Sequence, residues 1–149
     1  MAAPSTPASS ATPRGVVLSA NGWNIQVANA AILPDLSGAR LYFIVVDLLV
    51  ENTTAEPRAF HGPDIDFKII SQEGWGGRYD IFASAEIRAA EEQWVGAYSS
   101  GIEYPYSVVF SVSEHDPNLY QSGLSGWVMT IIEDDIYEYV LEVGDLPEP

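Results

Sequence analysis

The chain has 149 residues, room for one domain of ordinary size, and its 47% hydrophobic and 11% aromatic content supplies the apolar surface that a disordered chain lacks. Its 21 acidic and 6 basic residues leave a formal net charge of -15, and no two basic residues stand within eight positions of each other. The clustered Lys and Arg that nucleic acid and anionic membrane surfaces require are therefore missing, whereas a basic protein partner or simple solubility suits the charge.

With no cysteine, neither disulfides nor thiolate metal sites enter the argument. Residues 1–14 run from Met1 to Arg14 with only Ala, Ser and Thr around Pro4, Pro7 and Pro13 between them, the composition of a disordered stalk. They lack the basic start and apolar stretch of a signal peptide, and no apolar run approaches the roughly 18 residues of a membrane span. A stalk of this kind often follows a signal or lipid anchor. The expectation is an extracellular or cell-surface protein whose signal or anchor is not carried by this sequence, with no membrane insertion by the chain itself.

From residue 15 to 145 the pattern is that of strands. Gly15 to Ala20, the tight turn Asn21-Gly22, and Trp23 to Ala28 with Trp23, Ile25 and Val27 on one face predict a hairpin. Leu33 to Gly38 reads as a loop. Leu41 to Val50 is the strongest strand: Tyr42, Ile44, Val46, Leu48 and Val50 are apolar at period two, while Asp47 breaks the other face. Asn52 to Pro57 ends it, and Asp64 to Ser71 starts another strand with Ile65, Phe67 and Ile69 inward.

Gly74-Trp75-Gly76-Gly77 predicts a turn, and Ser84 to Trp94 a short helix or irregular crossover that Ser84 could cap. Ser107 to Glu114, Trp127 to Ile132 and Ile136 to Val143 complete the strands, with Tyr137, Tyr139, Leu141 and Val143 sharing a face and Glu133-Asp134-Asp135 forming a turn. Residues 146–149 are a tail. Seven or eight short strands and no repeated helix predict an all-β, immunoglobulin-like antiparallel β-sandwich with one short helix in a crossover.

Three runs carry a family resemblance: Trp23-Asn24-Ile25-Gln26-Val27, then Tyr42 through Leu49-Val50-Glu51-Asn52-Thr53-Thr54, then Asp66-Phe67 ahead of Gly74. Together with Ser107 to Ser113, Trp127 to Ile132 and Tyr139 to Val143, they resemble bacterial secreted proteins and lipoproteins. These are telokin-like, immunoglobulin-fold domains of unknown function related to mycobacterial secreted antigens. The resemblance spans roughly residues 15 to 145 and implies an exported β-sandwich of adhesion or interaction type, without catalytic residues to carry over. The Ser84 to Trp94 insertion and the Asn118 to Gly126 loop depart from that pattern.

Nucleophilic catalysis would need a Ser or Cys with a His and an acid, and the only histidines, His61 and His115, fall in loop contexts. Asp64 with Asp66, and Glu138 with Glu142, are carboxylate pairs of the kind any wet sheet face offers. Calcium could draw on Glu133-Asp134-Asp135, or on Glu114-His115-Asp116 with Asn118, although neither has EF-hand spacing. Asn52-Thr53-Thr54 is a glycosylation triplet at a strand end. No catalytic residue, cofactor or metal site is expected.

Trp75, Tyr79, Trp94, Tyr98 and Tyr104 crowd a region of weak strand pattern, bordered by Glu86, Glu91, Glu92 and Glu103. They are the candidate interaction surface, acidic at its rim and suited to a basic partner. The functional expectation is an exported or surface-anchored protein-interaction module without catalytic activity; the alternative is a carbohydrate-binding or calcium-dependent adhesion module.

Overall fold

Apolar residues at alternate positions bury one face of each strand, and stacking two such faces gives a core without any helix inside it. The computed structural model shows this arrangement and describes residues 11–34, 41–60, 65–71, 76–93, 95–113 and 126–146. The elements are β1 (Leu18–Ala20), β2 (Trp23–Pro34), β3 (Leu41–Asn52), β4 (Ile65–Ile70), β5 (Gly76–Tyr79), α1 (Ile81–Ala90), β6 (Glu103–Ser113), β7 (Trp127–Glu133) and β8 (Tyr137–Gly144). Every named strand pairing is antiparallel.

The strand order β1-β2-β3-β6-β5-β4-β7-β8 folds into two layers. With β2 taken as strand A, one layer is A-B-E-D and the other C-F-G, the order of a constant-type immunoglobulin sandwich, with β1 as an extra short edge. β5 belongs to both layers. Gly76 and Gly77 pair with Ile70 and Ile69 of β4, and two residues later Arg78 and Tyr79 pair with Ser111 and Phe110 of β6. Glycine is required at this corner because a Cβ on Gly77 would sit 2.6 Å from Ile69 Cγ2 and 3.2 Å from Phe110 Cβ. The turn expected at 74–77 thus gives way, in its second half, to a sheet-switching strand.

The opposite seam is closed by the chain start. Thr12 N–H donates to the Val140 carbonyl (2.9 Å), Glu142 N–H donates to Thr12 O (2.8 Å), and Gly15 N–H reaches Val27 O on β2 (3.1 Å). Thr12 thereby adds a parallel bridge to β8, while Arg14 donates to Val143 O and Asn29 Oδ1. This corrects the expected domain start at residue 15. Ala11 is already buried against the sandwich; residues 1–10 of the expected stalk lie outside the described residues.

Ile44, Val46, Leu48 and Val50 of β3 are fully buried, as their period-two pattern requires, and Ile65, Phe67 and Ile69 face them from the other layer. Tyr42's side chain lies outside the described residues. Each such side chain contributes about 1.5–3 kcal/mol by leaving water. Tyr139, Leu141 and Val143 are buried as expected, but Tyr137, at the strand's first position, is 43% exposed.

Two elements run further than their local pattern suggests. β2 continues through Pro34 because a bulge between Val27 and Asn29 shifts the register, after which Ala30 and Ile32 point inward on the opposite parity. β6 begins at Glu103, so Tyr106, Val108, Phe110 and Val112 form one inward row. The helix starts earlier than expected. Asp80 caps it, its carboxylate accepting from Ala83 N (2.9 Å), so Ser84 is not the cap. Ser84 is buried and staples α1 to β6: its hydroxyl accepts from Val109 N (2.8 Å) and donates to Val109 O (3.3 Å). Among the described residues, no helix is long and apolar enough to cross a membrane.

Candidate functional site

The aromatic residues singled out in the sequence separate in the structure. Tyr98 is 1% exposed and belongs to the core: its ring stacks on Tyr104 at 4.2 Å and meets Trp23 edge-on at 6.2 Å. Its backbone N–H and C=O both pair with Arg58. Tyr79 is half-buried between Phe67 and Phe110, and Tyr104 is half-buried with its hydroxyl accepting from Ser99 N (3.1 Å). Trp75 and Trp94 lie outside the described residues, as do His61, His115, Asp64 and the 114–118 acidic segment. Placing Tyr98 on an interaction surface is therefore corrected. With Trp23, Phe60 and Tyr106 it closes one end of the sandwich, because rings at a strand crossing fill volume that aliphatic side chains leave open.

Burial has a chemical consequence for these phenols. It pushes the Tyr106 hydroxyl up to about 12 and Tyr98 further in the same direction. Tyr139 also rises to about 12, first through burial and then through the hydrogen bond it gives Glu133. In the unfolded chain each ionises near 10. A pKa raised in the folded state leaves stability intact below the unfolded value and removes it as pH climbs towards the folded one. Denaturant midpoints should thus hold up to about pH 10 and fall between about 10 and 12, with the share of phenolate absorbance that belongs to these three tyrosines appearing only as the protein unfolds. A midpoint unchanged across that window would mean the tyrosines are accessible in the native state.

Glu133, expected in a turn and as a possible calcium ligand, is instead the last residue of β7 and faces inward. Its Oε1 accepts from Tyr139 Oη (2.6 Å) and Asn21 Nδ2 (3.0 Å), and its Oε2 accepts from Trp23 Nε1 (3.2 Å) and faces Arg58 (3.6 Å). The Arg58 guanidinium lies 4.1 Å over the Trp23 ring and donates to Asn21 O. Protein donors thus occupy both carboxylate oxygens, so this residue serves the fold. Asn52 is engaged in the same way. It is buried, its amide donates to Glu56 O and Tyr98 O, and its Oδ1 accepts from Thr54, so the glycosylation triplet does not present its nitrogen.

A different feature is open. α1 packs on the outer face of β6 through Ser84 and Arg88, which stand four residues apart and are both buried. Arg88 turns its guanidinium over the Tyr106 ring (4.6 Å) and donates to Ser107 O (3.0 Å). Beyond Arg88 the helix edge overhangs the half-buried outer row of β3, leaving a groove of about 480 Å³. Val45, Asp47 and Leu49 form its floor with Ser107 and Pro105, and Ile87 and Glu91 form its wall. Sequence reasoning marked Asp47 only as an interruption of an apolar face, and marked Glu91 as rim. It missed Gln93 and Ser107, which hold Asp47 in place through hydrogen bonds that no local pattern announces.

No family model matches this chain, and no curated protein matches it. Among solved structures, it is similar to a conserved hypothetical protein from Bacillus anthracis, with a TM-score of 0.55 and 10% identity over 87% of this chain and 94% of that one. A second similar structure is an uncharacterized beta-sandwich protein from Clostridium difficile, with a TM-score of 0.48 and 10% identity over 94% of this chain and 99% of that one. At such identity the likeness to the Bacillus anthracis protein speaks to fold alone.

Proposed function

We propose that this chain is a protein-interaction module, exported or anchored at the cell surface, and that it acts by binding without catalysing a reaction. One observation carries the reading. The helix inserted between β5 and β6 contributes Ser84 and Arg88 to packing, yet its first turn holds Ile81 and Phe82 at 62% and 82% exposure. Apolar side chains so exposed on an insertion are what a contact surface uses, whereas the sandwich itself is closed at both seams. The net charge of -15 favours a basic partner, and the Pro-, Ser- and Thr-rich start supports export behind a signal or anchor.

The test places a photo-activated cross-linking residue at position 82 and adds the protein to its native cells. A discrete adduct at the cell surface is expected, with none when the same residue replaces exposed Glu138 on β8. Equal labelling from both positions, or an endogenous protein confined to the cytoplasm in fractionated cells, overturns the reading.

A further inference from the structure

We infer that the groove between α1 and β3 receives a lysine side chain from an extended, apolar-flanked segment of a partner protein; this rests on the interaction-module reading and names the chemistry of the partner.

Asp47 lies on the floor of the groove. Its neighbours two residues away on the same face, Val45 and Leu49, are aliphatic and half-buried, while across the strands it stands between Asn29 of β2 and Ser107 of β6. Such a group is costly unless something solvates or pairs it. The protein supplies one hydrogen bond, and does so with directionality. Gln93 is buried and binds Ser107 twice, its Oε1 accepting from Ser107 N (2.7 Å) and its Nε2 donating to Ser107 Oγ (3.0 Å). With Gln93 Nε2 already donating to Oγ, the single hydroxyl hydrogen of Ser107 is left to Asp47 Oδ1, at 2.7 Å. Asp47 is held as an acceptor, and among the described residues no basic side chain pairs with it. The groove's described lining contains Asp47 and Glu91 and no Lys, Arg or His.

The shape and charge then select the occupant. One carboxylate oxygen is committed to Ser107, so a compact ammonium suits the site better than a guanidinium, whose fork pairs best with two equivalent oxygens. The methylene stem of a lysine can lie along Val45 and Leu49 while Glu91 offers a second negative charge from the helix wall. A volume of about 480 Å³ takes one such side chain with its flanking groups, not a folded domain. The strongly negative chain draws a basic segment towards it.

The experiment titrates the isotope-labelled full chain with the capped pentapeptide Val-Leu-Lys-Leu-Val at low salt, following backbone amide resonances. Saturable shifts are expected at Val45, Asp47, Leu49, Ile87 and Glu91. Replacing the peptide's lysine by norleucine should weaken binding roughly tenfold or more, and so should Asp47→Asn, which keeps an acceptor for Ser107 and hence the fold. Should Asp47→Asn disturb the melt, Glu91→Gln serves instead: its side chain is exposed, and it should weaken binding about two- to threefold. Equal binding of the norleucine peptide, shifts outside the groove, or butylamine binding as tightly as the peptide each overturns the inference. If the groove fails these tests while position 82 still cross-links a surface partner, the lysine assignment falls and the interaction-module reading stands.

Discussion

Replacing Glu133 by Ala should lower stability by about 3–5 kcal/mol, because it removes the carboxylate to which the buried Trp23 N–H and Tyr139 O–H donate and with which Arg58 pairs. Trp23 is 1% exposed and Tyr139 is 3% exposed, so their N–H and O–H groups cannot turn to bulk water. Arg58 would lose its carboxylate while still lying over the Trp23 ring. The residues concerned sit in the β1–β2 turn, the segment after β3, the end of β7 and β8, so one side chain joins both layers. Glu133→Gln keeps an acceptor oxygen for Tyr139 or Asn21 but sets its amide against another donor, and should cost about 1–3 kcal/mol. Urea melts of the two variants give the comparison. An Ala variant within about 1 kcal/mol of the parent would show that water replaces the carboxylate and that the network contributes little.

Deleting residues 1–14 should lower the melting temperature by roughly 5–15 °C. The loss comes from the closing seam: two backbone hydrogen bonds between Thr12 and β8, the two bonds from Arg14, and the buried Ala11. At about 0.5–1.5 kcal/mol net for each bond, the sum is about 2–4 kcal/mol once exposure of Arg14 is allowed for. It also leaves β8 with an uncovered edge, and uncovered edges pair with other chains, so the truncated protein should associate more readily. Thr12→Pro is the sharper variant, since it removes only the N–H that bonds Val140 O and keeps the rest of the chain. Unchanged melting in both would return residues 11–14 to the disordered stalk that their composition suggests.

The sandwich was legible in the sequence because its signal is local. Alternation in β3, β4 and β7 is uninterrupted, and each strand's inward row follows from period two alone. The Asn21-Gly22 turn was legible for the same reason: both residues have positive φ, which Asn and Gly tolerate best. Where parity breaks, local reading stops. The bulge at Val27/Asn29 hid half of β2, and starting β6 at Ser107 left Tyr104 as an apparent loop aromatic and Tyr106 outside the strand, although Tyr106 continues the inward row of Val108, Phe110 and Val112.

What tertiary structure alone decided are the contacts between residues far apart in the chain. Nothing near Tyr98 says that Arg58 will pair with its backbone, or that Trp23 and Phe60 will enclose its ring. Glu133 reads as one acid in an acidic turn until Trp23, 110 positions earlier, brings an indole N–H to it. Asp47 reads as a blemish on an apolar face until Ser107, 60 positions later, turns its hydroxyl towards it. Composition and periodicity determine which face of a strand is dry. Which polar group survives on or beneath that face depends on the partner the fold delivers, since a buried charge or donor is stable only when matched.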